Sequence, residues 1–144
     1  MLLAFDPADK WTAIERLVEH LVARGHLREE IREEVLEAIL SRERSMSTGM
    51  EQGVAIPHAA VEDVPEIIGC MGVVQSGEGL NFESIDGDAA RLVVLLVIPK
   101  AQKLLHIRTL AETARVLAKE SVRAGLLAAT SGAEAHAILV AGES

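Results

Sequence analysis

Leu92-Val93-Val94-Leu95-Leu96-Val97-Ile98-Pro99 is apolar at every position. A strand with one wet face alternates apolar and polar residues, so a run without alternation marks a strand buried on both faces. Pro99 has no N–H to continue a ladder and ends it. A sheet with such a strand needs cover above and below, and the flanking sequence supplies it. After Pro99, Leu104, Ile107, Leu110, Ala111, Ala114 and Leu117 recur at helical spacing over about 101–118 and are read as a buried stripe. Two further helices are expected over about 122–129 and 133–140.

Upstream, Ile67 to Val74 reads as a second strand, broken by Gly77 and Gly79, and Asp86-Gly87 signals a tight turn. Val54-Ala55-Ile56 reads as a short strand ended by Pro57-His58, with Pro57 forcing Ile56 to be extended. Ser45 to Gly53 is small and polar, and reads as a loop. The N-terminal part is helical. Asp6 is the expected cap, Pro7 suits the first turn and Asp9 favours the positive helix end. Trp11, Ile14, Leu17, Val18, Leu21 and Val22 form the stripe and Gly25 stops the helix. A second helix is expected from about Arg28 to about Arg42, with Glu29, Glu30, Glu33, Glu34 and Glu37 as its solvated face. The reading is one α/β domain over residues 1–144, a mixed β-sheet flanked by helices on both sides.

Composition narrows the function classes. Apolar residues make up 49% of the 144 and aromatics 2%, with no Tyr, so the core must be aliphatic. The formal charge is −8, from 14 basic and 22 acidic residues, which argues against a nucleic-acid interface or an anionic membrane surface. The single cysteine, Cys70, excludes an internal disulfide and fits a reducing compartment. It sits in an apolar run and reads as a packed strand residue. The start lacks the features of a signal peptide and the longest apolar run is too short to span a bilayer, so a cytoplasmic location is expected.

Chemistry concentrates on histidine. His20, His26 and His136 lack partners at catalytic or ligand spacing and read as surface or cap residues. His58 stands at the end of a short strand, after Pro57 and beside a glycine-rich loop, with small neighbours Ala59 and Ala60. A neutral imidazole there is a nucleophile suited to phosphorus near neutral pH. His106 lies in the first turns of the helix after Pro99, where unpaired N–H groups favour an anion. The alternative for His106 is a core-edge histidine. A metal site from His58, His106 and Asp86 lacks close ligand spacing. Thr48 to Glu51 matches a capping box, but no helical pattern follows it. Ser47 and Thr48 have no base and orienting partner for a hydrolase. No P-loop is present, and no cofactor is expected.

Ser47-Thr48-Gly49-Met50-Glu51-Gln52-Gly53-Val54-Ala55-Ile56-Pro57-His58 resembles the active-site signature of enzyme IIA domains of the bacterial phosphotransferase system, in the fructose, mannitol and nitrogen-regulatory class. Gly79-Leu80-Asn81-Phe82, Asp86-Gly87, the Leu92–Pro99 run, His106 and Leu110-Ala111 follow in that family's order. Trp11-Thr12-Ala13-Ile14 and Ser41-Arg42-Glu43 are similar as well, so the likeness covers the chain. The resemblance implies that His58 accepts a phosphoryl group from the histidine-containing phosphocarrier protein and passes it to a IIB domain. It implies that His106 holds the phosphate, that Arg42 neutralises its charge, and that Thr48 and Gly49 line the phosphate pocket. Glu51 departs from the second glycine of many members and is expected to face solvent. A regulatory role, in which the phosphorylation state of His58 controls binding to a target protein, is slightly favoured by a chain with no fused IIB or membrane part. A non-phosphorylated binding domain on the same fold is the further alternative.

Overall fold

Why the Leu92–Pro99 run is apolar throughout is plain from its place in the computed structural model, which describes residues 5–50, 52–74, 79–82, 84, 86–87 and 89–142. Leu92–Pro99 forms β4, and all eight of its residues are buried. It pairs on one edge with β3 (Ile68–Val73), antiparallel, from Ile68 opposite Val97 to Val73 opposite Leu92. On its other edge it pairs in parallel with β1 (Val54–Ala55) and β2 (His58–Val61). Val54 lies opposite Leu92 and His58 opposite Leu96, so β1 and β2 keep one register and lie in line. The sheet is mixed, as the sequence led us to expect.

One detail differs. β1 ends at Ala55, ahead of Pro57, but the sheet edge does not stop there. Leu96 N–H donates to the Pro57 carbonyl at 3.0 Å, so the ladder passes the proline and resumes as β2. The Pro57 nitrogen faces the same way as its carbonyl, toward β4, so the proline leaves one ladder bond unmade while its carbonyl keeps the register. His58 therefore opens a strand and inherits its alternation, where the sequence reading placed it beyond a strand end.

The alternation sorts the core into two layers. Val93, Leu95 and Val97 join Ala55, Ala59 and Val61 against one set of helices. These are α1 (Lys10–Ala23), through Ala13, Ile14, Leu17, Val18 and Leu21, and α2 (Arg32–Ser45), through Val35 and Ile39. Leu92, Val94, Leu96 and Ile98 join Val54 and Ile56 on the opposite face. Cover there comes from α3 (Lys103–Leu117), α4 (Glu120–Ala128) and α5 (Gly132–Gly142). The expected α/β architecture, with helices on both faces of the sheet, is what the chain adopts.

The helix boundaries carry corrections. Asp9, not Asp6, caps α1: its Oδ1 accepts Thr12 N–H at 2.8 Å. Trp11 is outside the buried stripe, 39% exposed, with the Lys10 ammonium 4.8 Å from its ring centre. The second helix begins with a 3-10 turn at Glu29–Ile31 and runs on to Ser45, which puts Arg42 in its last turn. Leu104 and Ile107, expected in the buried stripe of α3, are 61% and 65% exposed. The Asp86-Gly87 turn is closed by Gly87 N–H donating to the Ser84 carbonyl at 3.0 Å. Glu51 and Gly77 lie outside the described residues. Among the described residues no helix is long and apolar enough to cross a membrane.

Leu95 is fully buried at the centre of the sheet. Leu95→Ala is expected to lower the unfolding free energy by about 2–5 kcal/mol. Urea titration checks this, with the midpoint falling and the slope unchanged.

Candidate active site

His58 sits at the edge of the sheet, where the ends of α2 and α3 approach it. Its position in the alternation, two residues on from Ile56, points its ring to the α3 face. The residue is 8% exposed. Nδ1 lies 2.7 Å from the Ile56 carbonyl oxygen. A carbonyl can only accept, so Nδ1 carries the proton and Nε2 keeps its lone pair. This fixes both the tautomer and the rotation of the ring.

His106, in the second turn of α3, meets His58 edge to face, with ring centroids 5.4 Å apart and an interplanar angle of 78°. Arg42 comes from the last turn of α2. Its Nη1 donates to the Met46 carbonyl at 2.7 Å, which ties the guanidinium over the end of its own helix and satisfies an orphan carbonyl there. Ala38, Ser41, Arg42, Ser45, His58 and His106 line one cleft of about 330 Å³. A second, of about 460 Å³, shares Arg42 and His58 and is walled by Met46, Thr48, Gly49, Met50 and Leu110. All five residues singled out from the sequence thus border two adjoining clefts that meet at His58.

The electrostatics favour a neutral imidazole. Burial pushes the His58 pKa below its ordinary value of 6.5, and the Arg42 charge and the nearness of His106 press in the same direction. The bond to Ile56 and the charge of Glu43 oppose this without cancelling it. The nucleophilic form is therefore dominant at neutral pH. The Arg42 guanidinium would also stabilise an anion arriving at Nε2.

The loop between α2 and β1 is shaped by close contacts. A Cβ on Gly49 would come within 2.6 Å of the Phe82 carbonyl oxygen, so only glycine fits. Gln52 and Gly53 take left-handed backbone angles, φ +63° and +77°, and turn the chain into β1. Thr48 is 7% exposed, and its hydroxyl donates to the Glu43 carboxylate. It borders the cleft with its donor already engaged. Glu43 was not singled out for a role by sequence reasoning. A glutamate near the end of a helix reads as surface, and only the three-dimensional packing shows it buried.

The remaining candidates separate cleanly. Cys70 is a half-buried β3 residue whose thiol burial pushes up to about 12, which leaves it inert as a nucleophile at neutral pH. Asp86 accepts the Gln52 N–H at 2.9 Å. Among the described residues no group of three or more His, Cys, Asp or Glu side chains could hold a metal ion.

Residues 2–141 match the sequence profile of the family described as phosphoenolpyruvate-dependent sugar phosphotransferase system, EIIA 2. The fructose-specific EIIA component of Haloferax volcanii is 34% identical over 125 residues, 87% of this chain and 79% of that protein. The nitrogen regulatory protein IIA-Ntr of Neisseria meningitidis has a solved structure similar to this one. Its TM-score is 0.81 at 28% identity, covering 96% of this chain and 90% of that one. The Escherichia coli enzyme IIA for mannitol, solved in complex with phosphorylated IIB, gives a TM-score of 0.77 at 26% identity, covering 95% and 91%. Against the fructose-specific EIIABC component of Bacillus subtilis the match, 34% over 90 residues, spans only 14% of the larger protein.

Nitrogen-detected NMR of the histidine side chains is expected to show His58 as the Nδ1–H tautomer, titrating below 6.5. Arg42→Leu is expected to raise its pKa. A group whose folded pKa is depressed binds protons more readily when unfolded. Its contribution to stability is present above about 6.5 and is lost as pH falls through that value toward the folded pKa, so the unfolding midpoint should drop over that window.

Proposed function

This chain belongs to the EIIA 2 family of the phosphoenolpyruvate-dependent sugar phosphotransferase system, and from that premise we propose that it is a phosphoryl carrier with His58 as the acceptor. The observation that carries the reading is the setting of His58. Its Nδ1 is tied to the Ile56 carbonyl and its Nε2 lone pair is left to the cleft that Arg42 and His106 border.

The step balances without a general base. The donor's phosphohistidine N–P bond breaks as a bond forms from His58 Nε2 to phosphorus, and the donor imidazole leaves with its electron pair. Nε2 carries no proton to lose. The proton on Nδ1 stays where the Ile56 carbonyl holds it, and that contact stabilises the positive charge the ring acquires. Arg42 has five N–H donors in a planar fork, of which one serves Met46, and it faces the oxygens of the transferred group. His106 contributes from the other side. Such transfer rests on positioning and charge stabilisation, which are what this cleft offers.

The donor is the histidine-containing phosphocarrier protein and the acceptor a IIB domain, or else a target protein for which phospho-His58 is a regulatory signal. The complex of a mannitol IIA with its phosphorylated IIB supports the first acceptor. Similarity to a nitrogen regulatory protein supports the second. Leu104 and Ile107 on α3, and Met46 at the end of α2, are exposed apolar side chains on the helix ends that frame the clefts. They form the patch on which a partner docks, and the burial missing from the expected α3 stripe is completed by that partner.

Incubation with phosphoenolpyruvate, enzyme I and the phosphocarrier protein, followed by intact mass measurement at alkaline pH, is expected to show one acid-labile phosphate on the wild type. His58→Ala should gain none. A wild type left unmodified beside a labelled authentic IIA domain would refute the carrier reading and leave a binding domain on this fold. Adding IIB domains then separates the two acceptors: loss of phosphate to one of them identifies transport.

A further inference from the structure

Glu43 and Lys10 form a buried ion pair that the chemistry described above does not use. Lys10 Nζ lies 3.2 Å from Glu43 Oε2, with side-chain exposures of 8% and 0%. The ammonium also faces the Phe82 ring, 5.8 Å from its centre. The same carboxylate oxygen accepts the Thr48 backbone N–H at 2.9 Å, and the other accepts the Thr48 hydroxyl. From Thr48 the bonds continue. Its carbonyl accepts Ile56 N–H at 3.2 Å, and the Ile56 carbonyl accepts His58 Nδ1–H at 2.7 Å. A continuous line of hydrogen bonds runs from the start of α1, through the end of α2 and the loop, to the imidazole.

The neighbouring residue reinforces the same segment. Arg42 holds the Met46 carbonyl while Glu43 holds Thr48, so two adjacent residues of α2 grip the loop at both ends of Met46–Thr48. Removing two charges from water is costly, and apolar replacements of a buried pair are often neutral or stabilising. Core stability alone therefore does not call for an ion pair here.

We propose that Glu43, with its charge balanced by Lys10, is a positioning residue that sets the orientation of the His58 imidazole through Thr48 and Ile56. The inference rests on the carrier reading for its kinetic consequence, but not for its structural one. The carboxylate anchors Thr48, Thr48 aligns Ile56, and the Ile56 carbonyl selects the tautomer and rotation of the ring. A misplacement on the order of 1 Å at a reacting atom slows reaction by about 10²-fold.

The test uses the full chain in two forms, Glu43→Gln and the double variant Lys10→Met with Glu43→Leu. Each is read by thermal unfolding, by histidine nitrogen NMR and by the initial rate of phosphorylation. The double variant is expected to unfold near the wild-type temperature, to show His58 as a mixture of tautomers, and to accept phosphate about 10- to 100-fold more slowly. Glu43→Gln keeps one acceptor for Thr48 N–H, and is expected to lie between it and the wild type. Folded variants with an unchanged His58 tautomer and a wild-type rate would overturn the proposal. So would loss of folding in both variants, which would make the pair a stability element. A wild type that takes no phosphate would fail the carrier reading alone, because the imidazole signals still decide the positioning.

Discussion

The hydrogen bond from Leu96 N–H to the Pro57 carbonyl, 3.0 Å long, lets one edge of the sheet pass through a proline. A ladder broken there would free the chain after Ile56 and leave the histidine on a loop. With the register kept, residues on either side of Pro57 stay on the alternation of a single line. Ala55, Ala59 and Val61 face α1 and α2, and Val54 and Ile56 face the other layer. His58 is bound to the second set, and the Ile56 carbonyl is in reach of its ring. Strand geometry thus holds the imidazole more precisely than a loop could. The all-apolar β4 is the matching requirement, because a strand paired on both edges and covered on both faces has no wet position.

Around that histidine the protein balances opposing demands. Burial, reinforced by Arg42 and the nearby His106, keeps the ring neutral and nucleophilic. The same neighbours suit the anion that would arrive. Glu43 works against them at longer range, with its charge countered locally by Lys10. The result is a site that is positive toward its cleft within a chain of net charge −8.

Much of this was legible in the sequence, for physical reasons that differ by element. The β4 run had no alternation, which only a doubly covered strand explains. His58, Arg42 and His106 were found by motif, and the structure brings them to one cleft. Asp9 displaced Asp6 as the helix cap because the two aspartates offer similar side chains three residues apart, and only the closing contact with Thr12 distinguishes them. The resumption of the sheet edge beyond Pro57 was hidden because a proline's missing N–H reads as a stop, while the carbonyl that keeps the register leaves no mark in the sequence. Leu104 and Ile107 fit a helical stripe by spacing, yet spacing does not report whether anything covers the stripe. The Lys10–Glu43 pair was out of reach for a simpler reason: 33 residues separate partners that read individually as helix surface.

Under the proposed carrier role, the exposed leucine and isoleucine on either side of His106 would have a consequence for the lifetime of a phosphorylated form. Phosphohistidine is lost to any nucleophile that reaches phosphorus, and water is the most abundant. Were His58 to carry a phosphoryl group with no partner bound, the groups around it would have to shield the bond by themselves. A partner pressing its own apolar face onto Leu104 and Ile107 would dry the rim while bringing the intended acceptor in line. Dehydration and acceptance would then occur together, and hydrolysis would be suppressed at the moment when the bond is most reactive.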